Sequence, residues 1–580
     1  MIRLDKYQKE SAFATKGPIL VCAGPGSGKT RTLIARILFL LNKKVNHKKI
    51  FVLTFTNKAG EEIKKRIQNI SKNGKLPYIG TIHSLCFSLL KKDKDFSRYT
   101  VISDYEQIDI LKNIKKKYKL KGRIKTALTE IGKYYFTQSI SKGYEDYYNH
   151  YIEFLNSNYL IDYTLILKRF LLILKNDAKF KNSLQNKFLH ILVDEFQDID
   201  PIQSEIINIL SKPQNDLFAI GDADQSIYSF RGADINNFLM FHKTYPNSCI
   251  LKLNNNYRST HTIVEASKSF INNNSKRVDI KSKSISKEKL KIKVVSCISD
   301  KDEAKFISTE IERIIGGTTL LHTNMDHNLE ENLNTNFSNF AVLYRTNSFS
   351  HFIEQELIYK GIPYQVIGKN PFWQKQFVID FLNTLKYIQS RKSFYLKNLV
   401  KTSLPINKIK NIKPNNYIKI IKVLRNEDLS SAYSNYEADF QVLKKHLLDS
   451  NNLDELLRRI NFLSRETQID KKANCVKLLT IHQSKGLEFQ NVFIAGLEEG
   501  FFPLIKNKRV TNIEEERRIF YVGITRPIKR LYLTYAKNRR NWSKTSKRKP
   551  SRFVNEIDKY FLDQTHFGKE IKKKSQTKMF

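Results

Sequence analysis

A glycine-containing segment near the amino terminus has the composition of a loop that binds phosphate. Its residues are Ala23, Gly24, Pro25, Gly26, Ser27, Gly28, Lys29 and Thr30. In such a loop the backbone N–H groups surround phosphate oxygens, and we expect residues 26–29 to provide them. Lys29 would then neutralise the β- and γ-phosphates, and Thr30 would hold Mg²⁺. The first position is Ala23, where this type of loop usually has glycine, and a chance match of composition is the alternative interpretation.

Two adjacent carboxylates, Asp194 and Glu195, directly follow the apolar segment 188–193. An acid at the carboxyl end of a parallel strand reaches the metal ion beside a phosphate loop, so we interpret Asp194 as the Mg²⁺ ligand. Glu195 is the candidate base for the attacking water. Acid pairs at strand ends are otherwise usually part of a solvated turn, so this interpretation depends on the phosphate loop.

A third polar cluster follows the apolar segment 217–220 and contains Gln225. Beside a bound nucleotide this side chain would sense the γ-phosphate, whereas on its own it would be an ordinary polar loop residue. The aromatic residues Tyr228 and Phe230 follow three and five positions later. Loss of the γ-phosphate at Gln225 would therefore be transmitted directly to these rings.

Short apolar runs that give way to helical patterns must position these groups. They occupy residues 17–24, 49–56 and 188–195, and similar runs return at 475–482, 490–497 and 529–536. Continuous apolar runs of this length are typical of buried parallel strands that feed crossover helices. The predicted fold class is therefore α/β, with two cores built on parallel sheets, each carrying a mainly helical insertion.

The Lys-rich segments between these runs are helical in period and poor in strand signals, which predicts the two insertions. We expect the first core at 1–88 and 186–257, with its helical insertion at 89–185. The second core is expected at 258–379 and 474–560, with a reduced helical insertion at 380–473. Residues 316–339 are predicted to form a long surface loop, and residues 561–580 a mobile basic tail.

The composition excludes some classes of protein and favours others. With 580 residues, 41% of them hydrophobic, the chain buries substantial cores and is not disordered as a whole. Its 100 Lys and Arg residues against 57 Asp and Glu residues give a net charge of +43. This excess favours a polyanionic partner, either nucleic acid or an anionic membrane surface. Drift towards Lys, Asn and Ile in an AT-rich coding sequence is an alternative source of the same excess.

The cysteines and the apolar runs limit the location. The five cysteines are scattered without a CxxC pair or a Cys/His cluster, which predicts neither a zinc site nor a disulfide framework. No apolar run approaches the roughly 18 residues of a membrane-spanning helix, and the amino terminus lacks a signal-peptide pattern. We therefore expect a cytoplasmic protein, associated with the nucleoid if it is prokaryotic, and no membrane partner.

Together with the three segments above, further motifs resemble the UvrD/PcrA/Rep family of superfamily one DNA helicases, in order along almost the whole chain. These motifs occupy residues 4–8, 54–66, 80–85, 254–259, 341–347, 478–503, 514–527 and 550–557. The resemblance implies two RecA-like P-loop cores that use ATP and Mg²⁺. It also implies movement on single-stranded DNA in the 3′-to-5′ direction, which neither composition nor spacing indicates.

For the nucleotide, the resemblance implies that Arg31 and Tyr257 sandwich the adenine ring and that Gln8 recognises its edge. Asp5 stands where the family more usually has Asn. Glu488 would contact the ribose.

Two arginines would reach the γ-phosphate, Arg258 and Arg526. Because Arg526 lies in the second core and the phosphate loop in the first, hydrolysis would require the cores to close on ATP; a finger arginine is worth about 10³–10⁵ in rate. An ion pair or a solvated position is the alternative for each of them, and for Arg231 and Arg345 a phosphate contact and structural pairing remain equally open.

The resemblance also implies a set of DNA-contacting residues. Sequence-independent binding of a single strand needs cations along the backbone and aromatic faces for the bases. The candidates are Phe55, Thr56, Asn57, His83, Tyr228, Phe230, His482 and Trp542. For the two histidines a purely structural role is an equal alternative.

The function predicted is that of an ATP-dependent DNA helicase and translocase acting on single strands and single/double-strand junctions, in repair or replication. We expect a monomer or weak dimer, with unknown protein partners. The segment 371–383 departs from the charged pattern of the family, and the second insertion is small, so translocation is better supported than strand separation. The alternatives are a translocase that clears proteins with little unwinding and a nucleic-acid-binding protein that does not hydrolyse ATP.

Overall fold

The computed structural model describes most of both cores and the first insertion. The described residues are 2–15, 17–70, 75–212, 216–316, 335–368, 375–390, 395, 473–506, 509–510, 512–541 and 544–568. Trp542, most of the predicted loop 316–339 and most of the predicted insertion 380–473 lie outside these residues.

Within the described residues, twenty strands form two large parallel sheets and several short pairs. In chain order they are β1 (Ile19–Ala23), β2 (Ile50–Leu53), β3 (Tyr78–Gly80), β4 (Thr100–Val101), β5 (Leu160–Ile161), β6 (His190–Val193), β7 (Leu217–Gly221), β8 (Cys249–Leu253), β9 (Asn255–Asn256), β10 (Lys283–Ser284), β11 (Ile292–Ser299), β12 (Phe340–Tyr344), β13 (Tyr364–Val366), β14 (Val476–Thr480), β15 (Phe489–Ile494), β16 (Ile505–Lys506), β17 (Arg509–Val510), β18 (Pro527–Asn541), β19 (Lys544–Lys547) and β20 (Leu562–Phe567).

The described helices connect or flank these strands. In chain order they are α1 (Lys6–Phe13), α2 (Lys29–Asn42), α3 (Asn57–Ile70), α4 (Ile82–Leu90), α5 (Asp104–Lys117), α6 (Ile124–Thr137), α7 (Glu145–Ser157), α8 (Tyr163–Asn176), α9 (Ala178–Lys187), α10 (Pro201–Ser211), α11 (Asn236–Leu239), α12 (Phe241–Thr244), α13 (His261–Ile271), α14 (Asp300–Ile315), α15 (Ser350–Tyr359), α16 (Gln376–Ser390), α17 (Ile481–Ser484), α18 (Ile513–Ile524) and α19 (Arg552–Asn555).

The first sheet has the strand order β3-β2-β6-β7-β1-β8, and every pairing in it is parallel. Each residue of β1, β2 and β7 is buried, because helices cover both faces of the sheet. The phosphate loop follows β1 and the acid pair follows β6. Residues 222–226, which we call the Gln225 segment, follow β7. Because β6, β7 and β1 are adjacent and parallel, these three segments meet at the same edge of the sheet.

The second sheet has the order β13-β14-β12-β15-β18-β11-β20, also parallel along this path, and β19 pairs antiparallel with β18. The predicted α/β class with two parallel-sheet cores is confirmed. The prediction of a mobile tail from residue 561 is wrong for Leu562–Phe567, because β20 pairs in parallel with β11. Its four central residues, 563–566, are polar and exposed and gave no strand signal. Pairing with β11, burial of Leu562 and the contact of Phe567 with Phe306 hold the segment in place.

A single extended segment connects the two cores beside the phosphate loop. The Asn256 side chain donates to Pro25 O at 2.8 Å and accepts from the backbone N–H groups of Arg258 and Ser259. The Ser259 hydroxyl in turn donates to Pro527 O at 2.6 Å, at the start of β18. The crossing is therefore fixed to both cores at a point beside the phosphate loop.

In the described part of the chain, no helix is long and apolar enough to cross a membrane.

The β20 strand gives a first prediction. A chain that ends after Phe561 exposes the β11 edge and loses the burial of Leu562, which is 7% exposed. We expect its second core to lose about 2–5 kcal/mol of unfolding free energy, measured by urea denaturation, as for removal of a large buried apolar side chain. A chain that ends after Gly568 keeps β20 and serves as the control. Equal losses in both chains would contradict a structural role for this strand.

Candidate nucleotide site and single-strand interface

The phosphate loop lies between β1 and α2 in the geometry that such a loop requires. Gly28 precedes α2 with φ 85° and Gly26 has φ 67°, backbone conformations that glycine adopts without strain. The Lys29 ammonium donates to Ala23 O at 3.2 Å, and the Ser27 hydroxyl donates to Gly24 O at 2.7 Å. The loop is thus held in shape by its own side chains, with the amino terminus of α2 facing the anion position.

Two other segments leave no space beside these glycines. A Cβ atom at Gly28 would lie 2.5 Å from Gln8 Nε2, and a Cβ atom at Gly26 would lie 2.7 Å from Arg258 Cβ. The loop is therefore bordered by α1 on one side and by the segment that crosses between the cores on the other.

The predicted acid pair lies at the end of the neighbouring strand. Asp194 is 8% exposed, and its Oδ1 accepts the backbone N–H of Glu195 at 3.0 Å. Glu195 has φ 51°, a conformation that costs a non-glycine residue free energy and recurs at functional sites. Burial, followed by the negative charge of Glu195, raises the pKa of Asp194. Burial alone would raise the pKa of Glu195 too, but Lys29, Lys485 and a hydrogen bond from Gln197 lower it.

Gln197, which the sequence analysis did not select, connects the acid pair to the Gln225 segment. Its Nε2 donates to Glu195, and its Oε1 accepts the backbone N–H of Asp222 at 2.9 Å. The Gln225 amide donates to Asp222 Oδ2 at 2.6 Å and is 3% exposed. Gln197 appears in the sequence only as a polar residue two positions after the acids, so no pattern predicted this bridge.

The two predicted arginines, Arg526 and Arg258, lie near each other, and Arg526 interacts electrostatically with Glu195 of the first core. Arg526 is 1% exposed and donates to Val522 O, Leu487 O and Thr525 Oγ1 at 2.8–3.1 Å. Burial and the neighbouring Arg258 lower the pKa of Arg526 to about 9, while Glu195 and Glu488 act in the opposite direction. Because this pKa stays above 7, the guanidinium is charged in the closed cleft, close enough to Glu195 to interact with it.

Arg258 and Glu488 form an ion pair, with Arg258 Nε 2.6 Å from Glu488 Oε2. Arg258 also donates to Thr525 O at 3.2 Å. The ion pair that was the alternative interpretation of Arg258 is thus present here, and a γ-phosphate contact would require the guanidinium to turn. Glu488 is exposed at the rim of the cleft, which leaves its carboxylate accessible to a ribose.

The predicted adenine-binding residues gather around the end of α1. Gln8 is 1% exposed; its Nε2 donates to Ser27 O at 2.9 Å and its Oε1 accepts the Asp5 N–H. Tyr257 is 46% exposed, and its hydroxyl donates to Asp5. Arg31 is exposed and interacts electrostatically with Tyr257. The Tyr257 face is therefore available, whereas Gln8 could recognise an adenine edge only with its second amide hydrogen or remaining lone pair.

Lys485 is the most important site residue that sequence reasoning missed. It lies in the second core, with a side chain only 7% exposed, and donates to Gln225 O at 2.7 Å and to Asp198 Oδ2. Burial opposes its charge, yet Asp198 and Glu195 raise the pKa of Lys485 above its ordinary value. Its position between the predicted residues His482 and Glu488 was the signal that could have found it.

Four of the predicted DNA contacts form one aromatic cluster that spans both cores. The rings of Phe55 and Tyr228 are stacked with centroids 4.9 Å apart, and Tyr228 lies 6.0 Å from Phe230. Phe230 in turn lies 5.6 Å from His482 of the second core, and Phe230 is 65% exposed. Lys485 lies 5.2 Å from the Tyr228 ring. The cluster thus adjoins the Gln225 segment, and Phe230 is its exposed ring.

The protonation of His482 is fixed by its surroundings. Burial, followed by the positive charges of Arg345, Arg231 and Lys485, lowers the pKa of His482 to about 3. The ring is therefore neutral at physiological pH and would contact DNA as a hydrogen-bonding group and not as a cation.

The remaining predicted contacts lie at or beyond the edges of this cluster. Thr56 accepts the backbone N–H of Ala59 and Asn57 begins α3, directly after Phe55. The His83 ring contacts Tyr163 at the start of α8, 5.9 Å away.

For two arginines the ambiguity between phosphate and structural contacts is reduced. Arg345 donates to both carboxylate oxygens of Glu516, and Arg231 lies over Tyr228 and Phe230. Both arginines thus have partners in the protein itself, which favours structural pairing.

The residues at the loop fit a magnesium nucleotide. The Thr30 hydroxyl and the Asp194 carboxylate are the hard oxygen ligands that Mg²⁺ prefers. Among the described residues no group of three or more His, Cys, Asp or Glu is placed to hold a metal ion. Mg²⁺ usually takes one or two protein ligands together with nucleotide phosphates and water, so the donor set suits an ion that arrives with the nucleotide.

A phosphate loop and paired acids on one parallel sheet, with arginines on a second, define a P-loop protein with two cores. Residues 4–246 match the UvrD/REP helicase N-terminal domain, and residues 251–446 and 407–538 match the UvrD-like helicase C-terminal domain. The chain therefore belongs to the UvrD-like helicase family, a family of ATP-dependent DNA helicases.

Known relatives match over nearly the whole chain. The ATP-dependent DNA helicase PcrA of Staphylococcus aureus (strain Mu50) is 29% identical over 660 residues, which cover 98% of this chain and 88% of the relative. The protein of the same name from Staphylococcus epidermidis (strain ATCC 12228) is 29% identical over 672 residues, which cover 99% of this chain and 89% of the relative.

The Gln197 bridge gives a second prediction. A Cβ atom at Gly221 would lie 2.2 Å from Gln197 Oε1, so Gly221→Ala must displace the side chain that orients Glu195. We expect kcat of ATP hydrolysis to fall about 10²-fold, the cost of losing one oriented catalytic group, with little change in ATP affinity. Gly132→Ala is the control, since a Cβ there meets no atom within 4 Å. Unchanged kcat in Gly221→Ala would show that Gln197 is not needed to orient Glu195.

Proposed function

We propose that this UvrD-like helicase moves in the 3′-to-5′ direction along single-stranded DNA and unwinds duplex ahead of it, in DNA repair or replication. ATP hydrolysis in the cleft between the cores would drive each step. The observation that carries this proposal is the contact of Lys485 with both the Gln225 segment and the Tyr228 ring. The direction of travel rests on the family resemblance alone. The relatives are named ATP-dependent DNA helicases, which supports the use of ATP and DNA.

In the proposed reaction each side chain has one task. Lys29 and the loop N–H groups hold the β- and γ-phosphates, and Thr30 and Asp194 hold the Mg²⁺, which would withdraw charge from the phosphates when bound. Glu195, kept ionised by the surrounding cations, orients the attacking water and accepts its proton. Arg526 offsets the charge that develops on the transferred phosphoryl group, and it does so only while the cores are closed.

Stepping would follow from the loss of these contacts after hydrolysis. Gln225 and Ser226 bond to Lys485 and Arg518 of the second core through their backbone oxygens. A shift of this segment moves Tyr228 and Phe230, since they follow it directly in the chain. The positions of the aromatic rings that stack on the bases would therefore change each time the γ-phosphate leaves. The two cores would then hold the strand in turn.

The ATPase rate gives the third prediction. Wild-type protein should hydrolyse ATP much faster with single-stranded DNA than without it, and Lys29→Ala should lose about 10²–10³-fold of the stimulated rate. Glu195→Gln should still bind ATP and DNA but turn over about 10²–10⁴-fold more slowly. Equal rates with and without DNA in wild type would leave only a binding protein that does not use ATP for movement.

The same preparations distinguish unwinding from protein clearance. Unwinding of a duplex with a 3′ single-stranded extension is measured beside displacement of streptavidin from biotinylated single strands. Displacement without unwinding would identify a translocase that clears proteins, and displacement only from the 3′ end of the strand would contradict the proposed direction.

The exposed ring gives the fourth prediction. Base stacking on an aromatic side chain is worth about 1–3 kcal/mol, so Phe230→Ala should weaken single-strand binding roughly 5- to 150-fold, measured by fluorescence anisotropy. Tyr359→Ala is the control, because Tyr359 is 85% exposed on α15 and is not one of the rings that form the cluster. Equal affinity of the two variants would refute the stacking role of Phe230.

A further inference from the structure

The helix α16 follows β13 of the second core, yet it packs on the first insertion. Its buried side chains Val378, Phe381, Leu385 and Ile388 are spaced along one face and are at most 1% exposed. They belong to one apolar cluster with residues of α5, α6 and α7. We call these three helices, residues 104–157, the outer lobe. The lobe side chains of this cluster are Ile110, Leu111, Ile114, Ala127, Ile131, Tyr135, Tyr147, Tyr151 and Leu155. A helix that follows the second core, with residues 380–390 inside its predicted insertion, thus completes the apolar interior of the first core's insertion.

A buried ion pair fixes the position of α16 on the lobe. Lys386 Nζ lies 2.6 Å from Glu106 Oε2, and the two side chains are 3% and 7% exposed. The same Glu106 oxygen accepts the N–H and hydroxyl of Ser103 at 2.7 Å, which caps α5. A cation that is buried to this degree is costly unless it keeps its carboxylate. The pair therefore selects one position of α16 among the many that apolar packing alone would allow.

The outer lobe is itself attached firmly to the first core. The hydroxyls of Tyr135 and Tyr151 both donate to Asp162, at 2.9 and 3.0 Å, and Asp162 caps α8. The helix α8 packs in the apolar cluster of the first sheet. Phe136 of α6 lies against Gly232, two positions after Phe230, and a Cβ atom at Gly232 would be 2.6 Å from the Phe136 ring. The lobe that holds α16 thus also adjoins the segment that carries Phe230.

We propose that α16 is a strap that limits how far the two cores separate when the cleft holds no nucleotide. The aromatic cluster contains Phe55, Tyr228 and Phe230 of the first core and His482 of the second. Wide separation of the two cores would therefore break the contact between Phe230 and His482. A docked strap keeps the second core at high effective concentration next to the first. It thereby retains the single strand between cycles. This inference rests on the proposed translocase function and assigns Glu106 and Lys386 as positioning residues for strand retention.

The first experiment measures separation directly. Dyes are attached at Lys65→Cys on α3 and Tyr359→Cys on α15, both exposed, and energy transfer is measured without nucleotide. The Glu106→Ala variant leaves Lys386 buried without its carboxylate partner. The double variant Glu106→Ala/Lys386→Met lacks both charges. Both variants lose the Glu106 half of the α5 capping box, so this loss does not distinguish them. We expect lower transfer efficiency in the single variant and recovery towards wild type in the double variant. Equal efficiency in all three proteins would overturn the proposal.

The second experiment separates strand retention from chemistry. In the single variant we expect dissociation from single-stranded DNA without nucleotide to accelerate at least about fivefold, while kcat at saturating DNA stays within about twofold. The double variant should restore slow dissociation. Loss of kcat together with unchanged dissociation would assign the pair a merely structural role. Absence of ATPase stimulation by single-stranded DNA in the wild-type protein would instead contradict the proposed function itself.

A milder pair of variants covers the case in which Glu106→Ala disrupts the lobe. Leu385→Ala removes apolar contacts from the strap, and Leu155→Ala makes the same truncation inside the lobe; both side chains are fully buried. Faster strand dissociation only in Leu385→Ala supports the strap. Equal acceleration in both variants would show that lobe stability, and not docking of α16, controls retention, and the proposal would fail.

Discussion

Burial of positive charge between the two cores is the constraint on which the structure depends. Lys485 and Arg526 both lie in the cleft with almost no exposure to water. A buried ammonium or guanidinium loses its hydration and must recover that free energy from oxygen atoms in fixed positions. Lys485 recovers it from Asp198 and Gln225 of the opposite core. The closed arrangement is thus stable only while both cores contribute.

The nucleotide edge of the first sheet could be predicted because its chemistry depends on residues close together in sequence. The phosphate loop, Asp194 and Gln225 each follow an apolar run, and parallel pairing alone brings such strand ends together. The aromatic cluster was also predictable, since Tyr228 and Phe230 adjoin Gln225 in the chain. Its extension to Phe55 and His482 came only from the family resemblance.

The sequence did not indicate the contacts between segments that lie far apart in the chain. Lys485 and Asp198 are an ordinary pair of charged residues until the cores face each other, and Gln197 is selected only by the space that Gly221 leaves for it. The helix α16 has an apolar face that periodicity predicts, but no pattern specifies that the partner is the insertion of the other core. For β20, polar residues form a strand because β11 offers an unpaired edge.

Arg526 differs from Lys485 in a way that would couple nucleotide binding to closure in the proposed mechanism. Its hydrogen bonds within the described chain go to two backbone carbonyls and one hydroxyl, so no carboxylate bonds to it directly. Burial and Arg258 lower its pKa, yet it remains protonated at neutral pH. The cleft therefore contains positive charge that the protein only partly offsets, and in the proposed mechanism the phosphates of ATP would supply the remaining negative charge. Departure of the γ-phosphate would then remove part of that compensation and favour opening of the cleft.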